Sequence, residues 1–181
     1  MSRSGLHTNL VHLILTPLFS KKQKLSESQV FSRRFIALIE KLKNANIDYG
    51  FLNIYGPSIE AENAIFFSKI LEFLANYRLP WCVYGDFNYY LYLDETFGRP
   101  TNISAMEAFR SFIQESHLVD LPLKGGSFTW SNLRDPPTLV CLDGFLLSID
   151  FLASFHGLEH QLLSKSVSNH FAFDIFNEVW N

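Results

Sequence analysis

Three polar positions in apolar surroundings could carry acid–base or metal chemistry in this chain. Asp86 and Asn88 belong to a Gly-Asp-Phe-Asn stretch that directly follows the apolar run 81–84. Asp143 interrupts a second apolar stretch, residues 139–147. The first group could be only a turn, because Asp, Asn and Gly all stabilise turns. Asp143 is more informative, because a buried carboxylate needs a charged or hydrogen-bonded partner.

His170 is one candidate partner for Asp143. It precedes the apolar residues 171–173, and a single His in such a place is more often structural than catalytic. A carboxylate on one strand and a His at the end of another would nevertheless form an oriented general base. The carboxylate would fix the imidazole tautomer and stabilise its charged form.

The elements that must position these residues can be predicted from apolar spacing. Short alternating or continuous apolar runs predict strands, and wide apolar stripes predict helices. A Ser-x-x-Glu capping box predicts that one helix opens at Ser104. The predicted strands are 48–55, 81–84, 127–131, 139–147 and 167–176, and the predicted helices are 61–77, 104–117 and 149–155. Alternating strands and helices indicate an α/β protein, whose sheets place functional sites at strand ends.

Composition predicts one globular domain. The chain has 181 residues, of which 48% are hydrophobic, and it contains 18 Phe. The net charge is -3, so the whole chain lacks the basic signature of nucleic-acid binding. Residues 1–44 carry eight Lys or Arg against two Glu, a balance of +6, and the remainder carries -9. We therefore divide the chain into a basic lead segment, 1–44, and a main domain, 45–181. The basic segment could favour a polyanion, or it could be only a solvated edge.

Two cysteines, Cys82 and Cys141, have no disulfide or metal-ligand spacing. We expect them to be reduced thiols in an intracellular protein. The early apolar stretch 10–19 is too short to cross a bilayer. We therefore predict no signal peptide and no association with membranes.

Five motifs, taken in order, resemble the DNase I-like (endonuclease/exonuclease/phosphatase) superfamily. They are Asn-Ile-Tyr-Gly-Pro at 53–57, Gly-Asp-Phe-Asn at 85–88, Phe-Thr-Trp at 128–130, Leu-Asp-Gly-Phe-Leu-Leu-Ser at 142–148 and Ser-Asn-His at 168–170. Residues 118–132 (LVDLPLKGGSFTWSN) are similar to the endonuclease domain of plant LINE-type retrotransposons. The resemblance covers roughly residues 49–173.

The resemblance implies a DNase I-like two-sheet sandwich flanked by helices, and a Mg²⁺-dependent endonuclease that hydrolyses DNA phosphodiester bonds. By the same resemblance, His170 would act on the attacking water or support the phosphate, and Asp143 would orient it. Asp86 and Asn88 would position nucleophile and phosphate, with Asp86 also a candidate Mg²⁺ ligand. Tyr55 would contact the phosphate or the leaving group.

The metal-binding part of the pattern is incomplete. The family's first strands, with an Asn and the principal metal-binding Glu, have no match here, and Glu27 and Glu40 stand in the wrong context to replace that Glu. We therefore expect a chain that lacks those first strands. Asn169 stands where the family has a metal-binding Asp, which leaves it a weak candidate ligand because Mg²⁺ favours carboxylate oxygen.

Three interpretations follow. The first is an endonuclease with impaired activity, and the second is a non-catalytic remnant of a retrotransposon endonuclease, which the missing Glu favours. The third is a superfamily phosphatase that acts on a small phosphoester or lipid, against which residues 118–132 argue. DNA would be the partner by resemblance, and nuclear localisation would follow from that substrate. No protein partner can be inferred, and a monomer is expected.

Overall fold

A six-stranded sheet forms the centre of the fold in a computed structural model, which describes residues 28–31, 33–41, 46–163 and 169–177. The strands of this sheet and of two smaller ones are β1 Ser28–Phe31, β2 Phe35–Lys41, β3 Asp48–Tyr55, β4 Trp81–Asp86, β5 Thr96–Phe97, β6 Leu118–Asp120, β7 Leu123–Lys124, β8 Trp130–Ser131, β9 Leu139–Val140, β10 Asp143–Ser148, β11 Leu158–Leu162 and β12 Phe173–Asn177. The strand order in the central sheet is β1-β2-β3-β4-β10-β6. The helices are α1 Asn63–Asn76, α2 Ile103–Ser116 and α3 Ile149–Ser154.

Strand β4 lies in the middle of this sheet, and every one of its residues is buried. It runs parallel to β3 and antiparallel to β10. In this register Asp86 pairs with Tyr55 on one side and with Asp143 on the other. Three polar positions from distant parts of the sequence thus meet at one edge of the sheet.

Aromatic side chains fill the core on both faces of the sheet, which accounts for the many Phe residues. On one face, α1 packs against α2, and the ring of Phe67 stacks on Phe112 with centroids 4.7 Å apart. On the other face, the ring of Phe145 meets Phe173 edge-on at 5.6 Å. Burying each such side chain contributes about 1.5–3 kcal/mol.

Two three-stranded sheets complete the architecture. One has the order β12-β11-β7 and supplies Phe173 to the second core face. The other has the order β5-β9-β8 and lies beside the edge that carries Asp86. A backbone bridge between Trp130 of β8 and His170 brings the C-terminal part of the chain to this small sheet.

The prediction of a single strand over 139–147 is wrong. The segment forms β9 and β10, which belong to different sheets. The break falls at Cys141 and Leu142, whose backbone groups bond elsewhere: the Cys141 amide donates to the Glu95 carbonyl, and the Leu142 carbonyl accepts from Phe87. Asp143 is therefore the first residue of a strand rather than an interruption within one.

The predicted helix start at Ser104 is also wrong. Asn102 is the N-cap, and its side-chain oxygen accepts a hydrogen bond from the amide of Ala105 at 3.1 Å. Asn and Ser are both good N-caps, and the earlier of the two occupies the position here. The hydroxyl of Ser104 instead donates to the carboxylate of Glu60 at 3.1 Å.

Other boundaries were predicted more closely. Strand 48–55 is confirmed, whereas strand 127–131 shortens to two residues and the run 81–84 extends to Asp86. The last strand begins at Phe173 and not at 167; residues 164–168 lie outside the described residues, as does most of the basic lead segment. Both cysteines are free thiols. Within the described ranges, no helix is long and apolar enough to cross a membrane.

Phe67→Ala should lower the free energy of unfolding by about 3–5 kcal/mol, because it removes a buried ring and leaves a cavity. Denaturant unfolding followed by circular dichroism measures this. Ile65→Ala is the matched control, since Ile65 lies on the same helix but is 63% exposed, and it should change stability by about 0.5 kcal/mol at most. Equal effects of the two changes would contradict the packing described for α1.

Candidate active site

Asp86, Asp143 and His170 come together at the edge of the central sheet. Nδ1 of His170 lies 2.9 Å from Oδ2 of Asp143, and Nε2 lies 3.9 Å from Oδ2 of Asp86. Both carboxylates are buried, whereas the His170 side chain is about one-third exposed, at 36%. The imidazole therefore stands between two buried carboxylates and solvent.

Thr129 holds Asp143 in place. Its hydroxyl oxygen accepts hydrogen bonds from the amides of Leu142 and Asp143, at 2.9 and 3.0 Å. Its carbonyl accepts from the amide of Phe171 at 2.7 Å, which ties the His170 segment to the same residue. Thr129 is fully buried. The sequence motif contained Thr129 but gave no sign of this role, because the contacts depend on three segments meeting.

Asn88 fixes the other carboxylate. Its backbone amide donates to Oδ1 of Asp86 at 2.9 Å, so that Oδ2 faces His170. Asn88 adopts a left-handed backbone conformation with φ 61°, which Asn tolerates better than most residues. Its side-chain Nδ2 donates to the carbonyl of Gly56 at 2.7 Å. Asn88 is thus oriented from both its backbone and its side chain.

Tyr55 and Gly56 bring the end of β3 against this turn. Tyr55 is 48% exposed, and its amide donates to the carbonyl of Arg34 at 2.8 Å. The Gly56 amide donates to the Asp86 carbonyl at 2.7 Å. A Cβ on Gly56 would lie only 2.0 Å from the carbonyl oxygen of Phe87, so a residue without a side chain is required here.

Arg34 was counted in the sequence only as part of a basic segment. In the structure its guanidinium donates to the Gly56 carbonyl at 3.4 Å and pairs with Glu62 at 2.5 Å. It thus braces the loop that holds Asn88. Asn169, which adjoins His170, is exposed, and its carbonyl accepts from the amide of Ser131 at 2.9 Å.

The electrostatics of the site follow from burying two carboxylates together. Burial, and then the charge of Asp143, raise the pKa of Asp86 to about 7, although His170 and the Asn88 amide act in the opposite direction. Burial alone would lower the pKa of His170. The hydrogen bond and charge of Asp143, together with the charge of Asp86, outweigh the effect of burial and raise the pKa of His170. The pKa of Asp86 therefore lies closer to neutrality than that of a free Asp side chain.

The side chains at this site partly meet the requirements of a divalent-cation site. One ligand atom from each of Asp86, Asp143 and His170 lies within 4.8 Å of the others. Two adjacent buried carboxylates that repel one another favour a cation between them. Among the described residues, this is the one group of three or more His, Cys, Asp or Glu side chains with such spacing, and it includes no Glu. Asp86 is the best ligand, because an oxygen of Asp143 already binds His170.

Comparison with known proteins identifies the fold. No protein-family model matches the chain, and no curated protein matches its sequence. Among solved structures, the endonuclease domain of TRAS1, a telomere-specific non-LTR retrotransposon, has a TM-score of 0.67 at 13% identity, and the match covers 87% of this chain and 70% of that one.

Two bacterial structures are similar at lower scores. Sphingomyelinase C from Streptomyces griseocarneus has a TM-score of 0.52 at 12% identity, covering 87% of this chain and 58% of that one. An endonuclease/exonuclease/phosphatase family protein from Bacteroides thetaiotaomicron has a TM-score of 0.50 at 19% identity, covering 78% of this chain and 54% of that one. The chain thus spans little more than half the length of these two proteins.

Thr129→Val should destabilise the protein by about 1–3 kcal/mol, because it leaves two buried amides without an acceptor. It should also lower the pKa of His170, measured by NMR titration, since Asp143 would lose its fixed position. Thr129→Ser keeps the hydroxyl and should retain both properties. Thr96→Val is a second control, because the buried hydroxyl of Thr96 has no hydrogen-bond partner. A loss as large for Thr96→Val would contradict the role given to Thr129.

Asp86→Asn should stabilise the metal-free protein at pH 8 and have less effect at pH 5. The carboxylate pKa is raised from 3.8 to about 7 on folding, so wild-type stability falls as pH rises through that window. The variant lacks this loss. Denaturant unfolding of both proteins across this pH range, with EDTA present, measures the difference. A constant difference at every pH would contradict the raised pKa.

The shared α/β architecture with these solved structures shows that the chain has the DNase I-like fold of the endonuclease/exonuclease/phosphatase proteins.

Proposed function

We propose that this chain is a metal-dependent phosphodiester hydrolase of the endonuclease type, with DNA as substrate. The observation that supports this best is the arrangement of His170 between Asp143, at 2.9 Å, and Asp86, at 3.9 Å, beside the oriented amide of Asn88. The TRAS1 domain, similar to this chain at a TM-score of 0.67, is an endonuclease domain. A nuclear site of action would follow from DNA as the substrate.

Asp86 positions the attacking water in this proposal. Its buried carboxylate can accept a hydrogen bond from that water, while its Oδ1 is held by the backbone amide of Asn88. The attacking oxygen forms the new bond to phosphorus, the water proton passes to solvent, and the ester oxygen leaves with a proton from solvent. Asn88 has a second side-chain N–H that can bind a phosphate oxygen, and Tyr55 stands exposed at the neighbouring strand end.

His170 is the donor to the phosphate. Its Nδ1–H donates to Asp143, which leaves Nε2 directed to the side of Asp86. Because the two carboxylates raise its pKa, the imidazole keeps a proton on Nε2 over a wider pH range and can donate it to a developing oxyanion. Asp143 therefore acts through His170, as a positioning residue.

Mg²⁺ is the proposed cofactor, and Asp86 would be its main protein ligand, with Asn169 a weak addition. When bound, it would supply positive charge to neutralise the phosphate. Its affinity should be low, since a cation held by one or two carboxylates keeps most of its water ligands.

The non-catalytic remnant is the second candidate. Two observations favour it. Asn169 stands in place of a carboxylate, and the possible metal-binding group among the described residues, Asp86, Asp143 and His170, includes no Glu. A phosphatase acting on a lipid or small phosphoester is the third candidate, and the similarity to a sphingomyelinase makes it worth including in the assay.

Nicking of supercoiled plasmid with Mg²⁺ tests the proposal. His170→Ala should lower the rate about 10²–10⁴-fold, as expected for a lost acid–base group. Ile65→Ala should nick at the wild-type rate, because Ile65 is exposed on the outer side of α1. Equal rates for wild type, His170→Ala and an EDTA blank would reject the proposal in favour of the remnant. Release of phosphocholine from sphingomyelin with no nicking would favour the third candidate.

A further inference from the structure

His160 lies where two sheets meet and is almost completely buried. It belongs to β11, the middle strand of the sheet β12-β11-β7, which we call the covering sheet because it covers one face of the central sheet. His160 is 1% exposed, and its ring stands edge-to-face with those of Phe145 on β10 and Phe173 on β12, at centroid distances of 5.1 and 5.4 Å. The ring therefore joins the covering sheet to the central sheet.

A pair of hydrogen bonds through Leu121 makes the same connection. The Leu121 amide donates to the carbonyl of Phe145 in the central sheet at 2.9 Å. The Leu121 carbonyl lies 3.1 Å from Nδ1 of His160 in the covering sheet. Because a carbonyl oxygen can only accept, Nδ1 must carry the proton of the neutral ring. Nε2 is then the atom at which His160 gains or loses a proton.

Nε2 of His160 is buried and has no hydrogen-bond partner among the residues that the structure describes. A proton on Nε2 would place a positive charge and a new donor in aromatic surroundings without an acceptor, which is costly. Burial therefore outweighs the hydrogen bond to Leu121 and the charge of Asp143, and it lowers the pKa of His160 from its ordinary value of 6.5. The neutral ring is the form that fits this place.

The charged groups of the covering sheet lie on its outer face, away from His160. Strand alternation turns residues 159 and 161 away from the face that carries His160. Asp174 and Lys124 pair in register with residue 161 and share that outer face, where Lys124 binds Glu159 at 2.7 Å. On the inner side, the titratable residues of the core cluster and those within two residues of Leu121 or Phe145 are Tyr49, Cys82, Tyr84, Asp120 and Asp143. Of these, Asp143 supplies a charge that acts on His160.

His160 responds to acid in the opposite sense from the other groups with shifted pKa values. Among the described residues with a shifted pKa, it is the one whose pKa is lowered. Burial raises the pKa of Asp86, Asp120 and Asp174, and the neighbouring carboxylates raise that of His170 against the effect of burial. A raised pKa means that acid favours the folded state, whereas a lowered pKa means that acid favours opening. The stability that neutral His160 contributes is therefore lost as pH falls below 6.5.

A protonated ring cannot reach water while the covering sheet stays packed. β11 is bordered by β12 and β7, and Phe145 and Phe173 stand against the ring. To expose the charge, β11 must lift from the central sheet. β12 pairs with β11 along its whole length and would move with it. His170 lies three residues before β12, so its contact with Asp143 would be lost in the same movement.

We propose that His160 is an acid-sensitive latch of the covering sheet. While Nε2 carries no proton, the covering sheet stays packed on the central sheet. Protonation of Nε2 releases the covering sheet together with the segment that carries His170. The proton comes from solvent and returns to solvent on closing, so the change is reversible. The latch goes beyond the proposed hydrolase and does not depend on it, because it sets the position of His170 whatever that residue does.

Hydrogen exchange of the full chain, followed by mass spectrometry at pH 7.5 and pH 5, tests the latch. The rates are corrected for the intrinsic pH dependence of amide exchange, and peptides from β3 and β4 serve as the internal reference. Protection of peptides that cover β11 and β12 should fall about ten-fold relative to this reference at pH 5. Protection that falls equally in both sheets, or in neither, would overturn the proposal.

His160→Asn removes the titration and keeps a donor, because an amide N–H can take the place of Nδ1–H and bind the Leu121 carbonyl. Its covering sheet should show the same relative protection at both pH values. His117→Asn is the matched control, since His117 is exposed at the end of α2 with φ 54°, a left-handed conformation that Asn tolerates. This control should keep the wild-type loss at pH 5. A wild-type loss in His160→Asn would assign the response to another group and reject the latch.

A measurement on the wild type alone covers the case of a variant that does not fold. NMR titration of the ring nitrogens should find the His160 proton on Nδ1 at pH 7.5 and a pKa below 6.5. A neutral ring with its proton on Nε2, or a pKa of 6.5 or higher, would contradict the latch even if His160→Asn were unfolded.

Discussion

Repulsion between two buried carboxylates is the constraint on which the candidate site depends. Asp86, the last residue of β4, and Asp143, the first residue of β10, are cross-strand neighbours in the main sheet, at 5% and 6% exposure. Two negative charges so close together in a medium of low dielectric cannot both remain unpaired. A proton, an imidazolium or a cation must compensate them. Each of these three would take part in the proposed phosphodiester hydrolysis, so the constraint that costs stability would also supply that chemistry.

Neighbouring residues hold the two carboxylates in position. The hydroxyl of Thr129 fixes the backbone of Asp143, and the amide of Asn88 binds one oxygen of Asp86. Oδ2 of each carboxylate faces His170. Gly56 permits the close backbone approach that lets Asn88 reach its carbonyl. A change at Thr129 or Gly56 would therefore act on the site through the position of a carboxylate, without touching a substrate.

The fold can persist at 12–19% identity to solved structures because its core requirements are general. A central strand must be apolar, two helices must cover one face, and a second sheet must cover the other. Many combinations of large apolar residues satisfy these conditions. The site is less permissive, since Gly56, Asn88 and Thr129 each meet a geometric condition that few residue types can meet.

Element types were predictable where local pattern and tertiary packing agree. Strand β3 and the three helices follow from apolar spacing alone. The ends of strands and helices were less predictable where hydrogen bonds between residues distant in sequence decide them. The break at Cys141 and Leu142 depends on Glu95 and Phe87, which are distant in sequence. The cap at Asn102 instead of Ser104 depends in part on Glu60, which binds the Ser104 hydroxyl.

By itself, the sequence determined which side chains could do chemistry and which stretches are apolar enough to bury them. Residue identity and periodicity are local properties, so Asp86, Asn88, Asp143 and His170 could be singled out before any fold was known. Only the tertiary structure decided which carboxylate binds which ring nitrogen, and that Thr129 and Arg34 support the site. Those relations join residues tens of positions apart, and their geometry is set by strand register and sheet order, which no local pattern encodes.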